Sequence, residues 1–241
     1  MPSNFKPYFS CLAFWWNCLL FLHCFAAIPE PPWTSMEQRN LSPGEPGKDY
    51  TPVCIPNGSR ATYQLRDGKK IFHLVAEPIS WEVAEGLTIE VWGYNGSVPG
   101  PLIELAEGDQ VRIYVTNRLP TPTTVHWHGL RLPCGMDGVA GLTQPAIPPG
   151  QTFVYEFTFA HSGTFMYHPH FDNMTQEGMG LTGMIVVHER VPDKEKRPDR
   201  DYALLLHEWR VDVGRSRPAP LEIDRLQLDW HATVIPCLER R

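Results

Sequence analysis

No run of lysine and arginine stands out in this 241-residue chain, where 21 basic against 27 acidic residues leave a net charge of −6. That balance excludes nucleic-acid binding through bulk charge. Long clean apolar runs are missing too. Phe9 to Phe25 is hydrophobic but interrupted by Asn17 and His23, short of the ~20 apolar residues that a membrane helix needs. No later segment comes closer. Cysteines are few, and none of Cys54, Cys134 and Cys237 stands beside a histidine as in a His-Cys-His run.

What is present begins with an export signal over residues 1–27. Lys6 supplies the charged start, and Ala26-Ala27 are small residues near a plausible cleavage point. The chain is therefore expected to be exported, to a periplasm or outside the cell. Cys11, Cys18 and Cys24 would leave with the signal, and the pairing of the other three is open. Residues 28–60, rich in Pro, Gly, Ser and Glu without periodicity, form a linker or lead-in.

The 24 prolines and 19 glycines, in turn clusters every 8–12 residues, favour an all-β sandwich. Strands are expected at Ile71–Val75, Leu87–Trp92, Leu102–Leu105, Gln110–Asn117, Thr152–Phe159, Gly163–Tyr167 and Leu181–His188, and around His126. Eight or nine such strands make a two-sheet sandwich of Greek-key type. Pro169 cannot donate to a ladder, so its strand ends there or runs along an edge. A charged linker follows from about 191, and Asp201–Trp209 opens another strand.

The chemistry concentrates in two short pairs, His126-Trp127-His128 and His168-Pro169-His170. Side chains at i and i+2 of a strand share a face, roughly 6.5–7 Å apart. If the two strands lie side by side, four imidazoles converge, with Trp127 turned the other way. Imidazole is the commonest metal ligand and suits copper, zinc, iron or nickel. Four are more than a usual catalytic zinc takes from protein. They make sense as half of a metal cluster. One pair alone is more often two unrelated surface histidines; two pairs shift that balance. His73 reads as structural, and His161, His188, His207 and His231 lack partners at ligand spacing.

The segments Thr124-Val125-His126-Trp127-His128-Gly129-Leu130, Gly163 to His170 and Gly178 to Val187 resemble the first cupredoxin domain of multicopper oxidases. That family includes laccases and bacterial copper-resistance oxidases, and the likeness is greater to the bacterial branch. It runs from about Ile71 to Glu189. The resemblance implies a cupredoxin-like Greek-key β-sandwich over residues 61–190. It also implies a linker and the truncated start of a second cupredoxin domain over 191–241. His126 would bind a type 2 copper, and His128 and His168 would share one copper of a type 3 pair. His170 would bind the other. Asp137, in Met136-Asp137-Gly138, matches an outer-shell proton donor; its bland reading is a turn-forming Asp before Gly. Trp127 and Tyr167 are packing residues. Met174 and Met179, on a loop beside the second motif, are weak candidates for transient copper contact.

A complete enzyme of this kind also needs four further histidines and a cysteine-based type 1 copper, and neither set is matched here. The implied partners are O2, a reducing substrate such as a phenol or Cu(I), and a C-terminal cupredoxin domain or another subunit to complete the cluster. Alone, the chain is expected to be inactive. A copper nitrite reductase is excluded because Pro169 occupies the position where its cysteine ligand would stand. The alternative is a non-catalytic exported copper-binding or buffering module. A mononuclear zinc hydrolase is weaker, lacking a carboxylate at ligand spacing to either pair.

Overall fold

The computed structural model describes residues 41–56, 58–191, 198–207 and 209. The signal-like segment and the tail beyond Trp209 lie outside the described residues. Among the described residues nine strands form two sheets. The first contains β1 (Tyr63–Arg66), β2 (Lys69–Ala84), β3 (Leu87–Tyr94), β5 (Gln110–Asn117) and β7 (Thr152–Thr158). The second is ordered β4 (Gly100–Ala106), β9 (Gly183–His188), β8 (Gly163–His168), β6 (His126–His128). Parallel pairing of β2 with β5 and of β4 with β9, among antiparallel neighbours, gives the crossed connectivity of a cupredoxin sandwich.

Strict alternation places Val111, Ile113 and Val115 of β5 inward, beside Phe72, Leu74 and Ala76 of β2 and Tyr155 and Phe157 of β7. Ile103, Leu105, Trp127, Tyr167, Ile185 and Val187 of the second sheet meet them across the core. The outward face of the first sheet is polar, as in the Arg112–Glu156 pair at 2.8 Å.

The second sheet is covered on both faces, so β4 and β9 read as nearly continuous buried runs. Leu102, Met184 and Val186 point away from the core and pack beneath Val53 and Ala203. The Cys54 amide donates to Asp201 O at 2.7 Å, and the Ala203 amide to Cys54 O at 2.9 Å. Glu104 adds a polar anchor, accepting from Val53 N (2.8 Å), Arg60 Nε (2.6 Å) and His188 Nε2 (2.8 Å). The segment 201–207, expected as a strand, makes one bridge instead, Tyr202 opposite Cys54. Pro52 and Pro56 flank that position, and without amide hydrogens they cannot extend the ladder.

Two further elements differ from expectation. β2 continues past Val75 because it changes partners at Ala76, from β5 to β3. Beyond that point its other edge is open, so Pro78 costs no ladder bond. A short helix, α1 (Asn173–Gly178), stands where a loop is expected after the second histidine pair.

Candidate metal centre

β6 and β8 are antiparallel neighbours, with His126 opposite His168, Trp127 opposite Tyr167, and His128 opposite Met166. The two-residue period sends Trp127 and Tyr167 into the core, both fully buried. Trp127 packs edge-on against Tyr155 with centroids 5.2 Å apart. Gly183, opposite Tyr167 on β9, is required there: a Cβ would sit 2.1 Å from the phenol ring. The histidines take the opposite face.

Ring centroids of His126 lie 5.5 Å from His128, 5.4 Å from His168 and 5.3 Å from His170. β8 ends at His168, so His170 is not held by strand geometry. Its amide instead donates to Thr124 Oγ1 at 3.0 Å, which returns its ring toward the patch. One nitrogen from each of His126, His128 and His168 can be chosen so that all lie within 4.8 Å of one another.

Hydrogen bonds decide which nitrogens are free. His126 Nδ1 is 2.7 Å from the Asp137 carbonyl, an acceptor only, so Nδ1 carries the proton and Nε2 keeps its lone pair. The Asp137 carboxylate lies 3.5 Å from the same Nδ1. His168 Nδ1 faces the Pro169 carbonyl at 2.9 Å, which leaves its Nε2 free. That Nε2 stands 3.1 Å from His128 Nδ1.

Asp137 closes a 3-10 turn over Cys134–Met136, and Gly138 follows at φ +80°. A Cβ on Gly138 would fall 1.8 Å from the Val125 carbonyl. Only glycine lets this loop pass close enough to β6 for the Asp137 carbonyl to reach His126. Asp137 thus closes the turn and sets both its carbonyl and its carboxylate beside His126.

Burial pushes the His126 imidazole below its ordinary value, helped by His168 and His170, while the Asp137 carbonyl and carboxylate oppose the shift. His128 is lowered as well, first by partial desolvation and then by His168. Both rings therefore favour the neutral, ligating form.

The donor set suits a soft or borderline transition ion. Two nitrogens on one such ion at about 2.0 Å each stand roughly 3 Å apart, close to the 3.1 Å between His128 Nδ1 and His168 Nε2.

Three contributors lie outside the two histidine pairs. Gln176 is fully buried and staples α1 to the approach of β6, through Thr123 Oγ1 (2.6 Å) and Pro122 O (2.7 Å). Thr124 holds His170. Glu177 brings a carboxylate oxygen within 2.7 Å of His168 Nδ1. It stands nine residues beyond His168 on an unexpected helix, so no motif spacing signals it. Met174 lies within α1 and Met179 caps it, with its carbonyl taken by Trp92 N at 2.9 Å. Cys54 and Cys134 are free and exposed, with no bond between them.

Residues 76–192 match the family model described as multicopper oxidase. Copper resistance protein A of Pseudomonas syringae pv. tomato is 42% identical over 115 residues, spanning 48% of this chain and 18% of that protein. Laccase-1 of Cryptococcus neoformans var. neoformans serotype D is 33% identical over 195 residues, spanning 76% and 30% respectively. The crystal structure of a multi-copper oxidase from Pseudomonas thermotolerans superposes with a TM-score of 0.50 at 42% identity, covering 52% of this chain and 30% of that one. In each comparison the chain spans less than a third of the relative's length. The cupredoxin domain that carries these four histidines is a multicopper oxidase domain.

Proposed function

We propose that this chain contributes half of a three-copper site in an exported oxidase that couples one-electron oxidation of a reducing substrate to reduction of O2 to water. The observation that carries the reading is the convergence of His126, His128, His168 and His170 from adjacent strands onto one face. His126 Nε2 would hold the type 2 copper. His128 Nδ1 and His168 Nε2, facing each other, would share one type 3 copper, and His170 the second. Copper bound there supplies the single-electron steps by which four electrons reach O2.

The protein's own groups prepare that chemistry. The Asp137 carbonyl fixes the His126 tautomer, and its carboxylate lies beside the same ring. O2 + 4 H⁺ + 4 e⁻ → 2 H2O consumes a proton for each electron, so a partly exposed carboxyl at this rim is placed to deliver them. Remaining ligands, and the copper that first accepts electrons, would come from a further cupredoxin domain or another subunit.

Copper titration followed by oxygen uptake, with a phenol or Cu(I) as donor, tests the proposal. Uptake that requires a supplied C-terminal cupredoxin domain supports the oxidase reading. Tight binding of one or two coppers without uptake in either case makes the chain a copper-buffering module instead.

A further inference from the structure

We propose that Glu177 is a positioning residue for the copper site: its carboxylate, beside His168 Nδ1, keeps the proton on that nitrogen and so reserves Nε2 for metal. The inference rests on the copper reading above and extends it to a residue outside both histidine motifs.

A neutral imidazole has two tautomers, and only the one protonated at Nδ1 leaves Nε2 with a lone pair. For His168, Nε2 is the nitrogen that faces His128 Nδ1 at 3.1 Å. Its Nδ1 has two acceptors in reach, the Pro169 carbonyl at 2.9 Å and a Glu177 carboxylate oxygen at 2.7 Å. The carbonyl lies along the N–H direction and takes the hydrogen bond. The carboxylate adds a negative charge on the same side of the ring. That charge favours the tautomer with its proton at Nδ1, which leaves the Nε2 lone pair for metal.

His168 is buried and Glu177 four-fifths so, which limits screening of the pair. The helix carrying Glu177 is fixed on both sides. Gln176 bonds back to Thr123 and Pro122, and Trp209 Nε1 donates to the Gly178 carbonyl at 3.1 Å. Glu177 is thus held at its place by buried contacts of its neighbours and is not a surface acid that happens to pass.

The test starts with the metal-free, ¹⁵N-labelled full chain near neutral pH. Long-range ¹H–¹⁵N spectra of the histidine rings report which nitrogen of His168 carries hydrogen. The expected result is an Nδ1–H ring in the wild type. A ring protonated on Nε2, or on both nitrogens, overturns the proposal without any variant. E177Q keeps the shape and removes the charge. It should move His168 toward a tautomer mixture and weaken copper binding roughly ten-fold or more, while thermal stability stays near wild type. An unchanged tautomer with unchanged copper affinity overturns the proposal, as does a loss of stability alone. Because the tautomer is read without metal, its outcome is separate from that of the copper titration. A wild-type chain that binds no copper sinks the oxidase reading instead.

Discussion

His128 Nδ1 on the edge strand stands 3.1 Å from His168 Nε2 on the neighbouring strand. Two nitrogens at that separation without a shared ion make at best one hydrogen bond, and only if His128 supplies the proton. With an ion between them, both lone pairs are used. Replacing His128 and His170 together with alanine should therefore remove multi-copper binding and leave at most one copper. Equilibrium dialysis with metal analysis checks this, and an unchanged stoichiometry in the double variant overturns the assignment.

The loop that presents Asp137 gives a second test, because the residue offers a carbonyl and a carboxylate to the same ring. D137N retains the carbonyl, so copper binding should persist. Oxygen uptake by the completed enzyme should fall if the carboxyl delivers protons. G138A disturbs the carbonyl itself. A residue with a side chain at φ +80° costs about 1–2 kcal/mol in backbone strain, and its Cβ meets the Val125 carbonyl as well. G138A should thus lower both stability and copper affinity. Melting curves and copper titration of the two variants separate these effects, and a G138A protein with wild-type copper affinity rules out this role for the loop.

Much of this site could be read from residue order. The period of two in His126-Trp127-His128 requires the histidines to share a face opposite Trp127, and β6 obeys it. The clean alternation of Gln110–Asn117 likewise returned as β5 with the same bounds. Elsewhere the local signal was silent. His170 lies past its strand and reaches the patch through Thr124, 46 residues earlier. Glu104 shows an acid in an apolar strand, yet its meaning depends on Val53, Arg60 and His188, which only tertiary packing assembles. α1 is six residues long, too short for a helical period to show.

A buried ion pair sets the third prediction. Lys70 Nζ lies 2.7 Å from Asp109 Oδ2, and both side chains are fully buried. Asp109 also accepts from the amides of Gly44 (2.7 Å) and Ala106 (2.9 Å) and faces Arg190 at 3.3 Å. The Lys70 ammonium has Asp109 and the faces of the Tyr63 and Tyr50 rings, whose centroids are 4.8 Å and 5.7 Å away. Removing the acid strands a buried cation, a change that costs about 3–5 kcal/mol. Removing the base leaves an acid still held by two amides and a guanidinium. D109A should consequently destabilise more than K70M, as read from denaturant midpoints. The reverse order shows that Lys70 is the better-satisfied partner.

Acid sensitivity should come in two windows with different owners. The His126 imidazole is lowered from about 6.5 by burial and by neighbouring histidines, so the folded protein disfavours its proton. A depressed value contributes stability above the unfolded pKa and loses it as pH falls through the folded one. The metal-free protein should thus begin to lose stability below about pH 6.5, a window to which the lowered His128 also contributes, and H126N should make that decline shallower. Copper affinity through His126 and His128 should change little above that point and drop below it, as protons compete for the nitrogens. Glu104 governs the second window. Burial alone would raise its carboxyl, but hydrogen bonds from His188, Arg60 and the Val53 amide outweigh that and hold it below 4.5. Its share of stability is intact above 4.5 and is lost as pH falls through the lower folded value. E104Q should remove this second decline, loosen the lead-in around Val53, and leave the first window untouched. Thermal midpoints measured from pH 8 to pH 3 for wild type, H126N and E104Q resolve the two, and a single decline shared by all three proteins excludes both assignments.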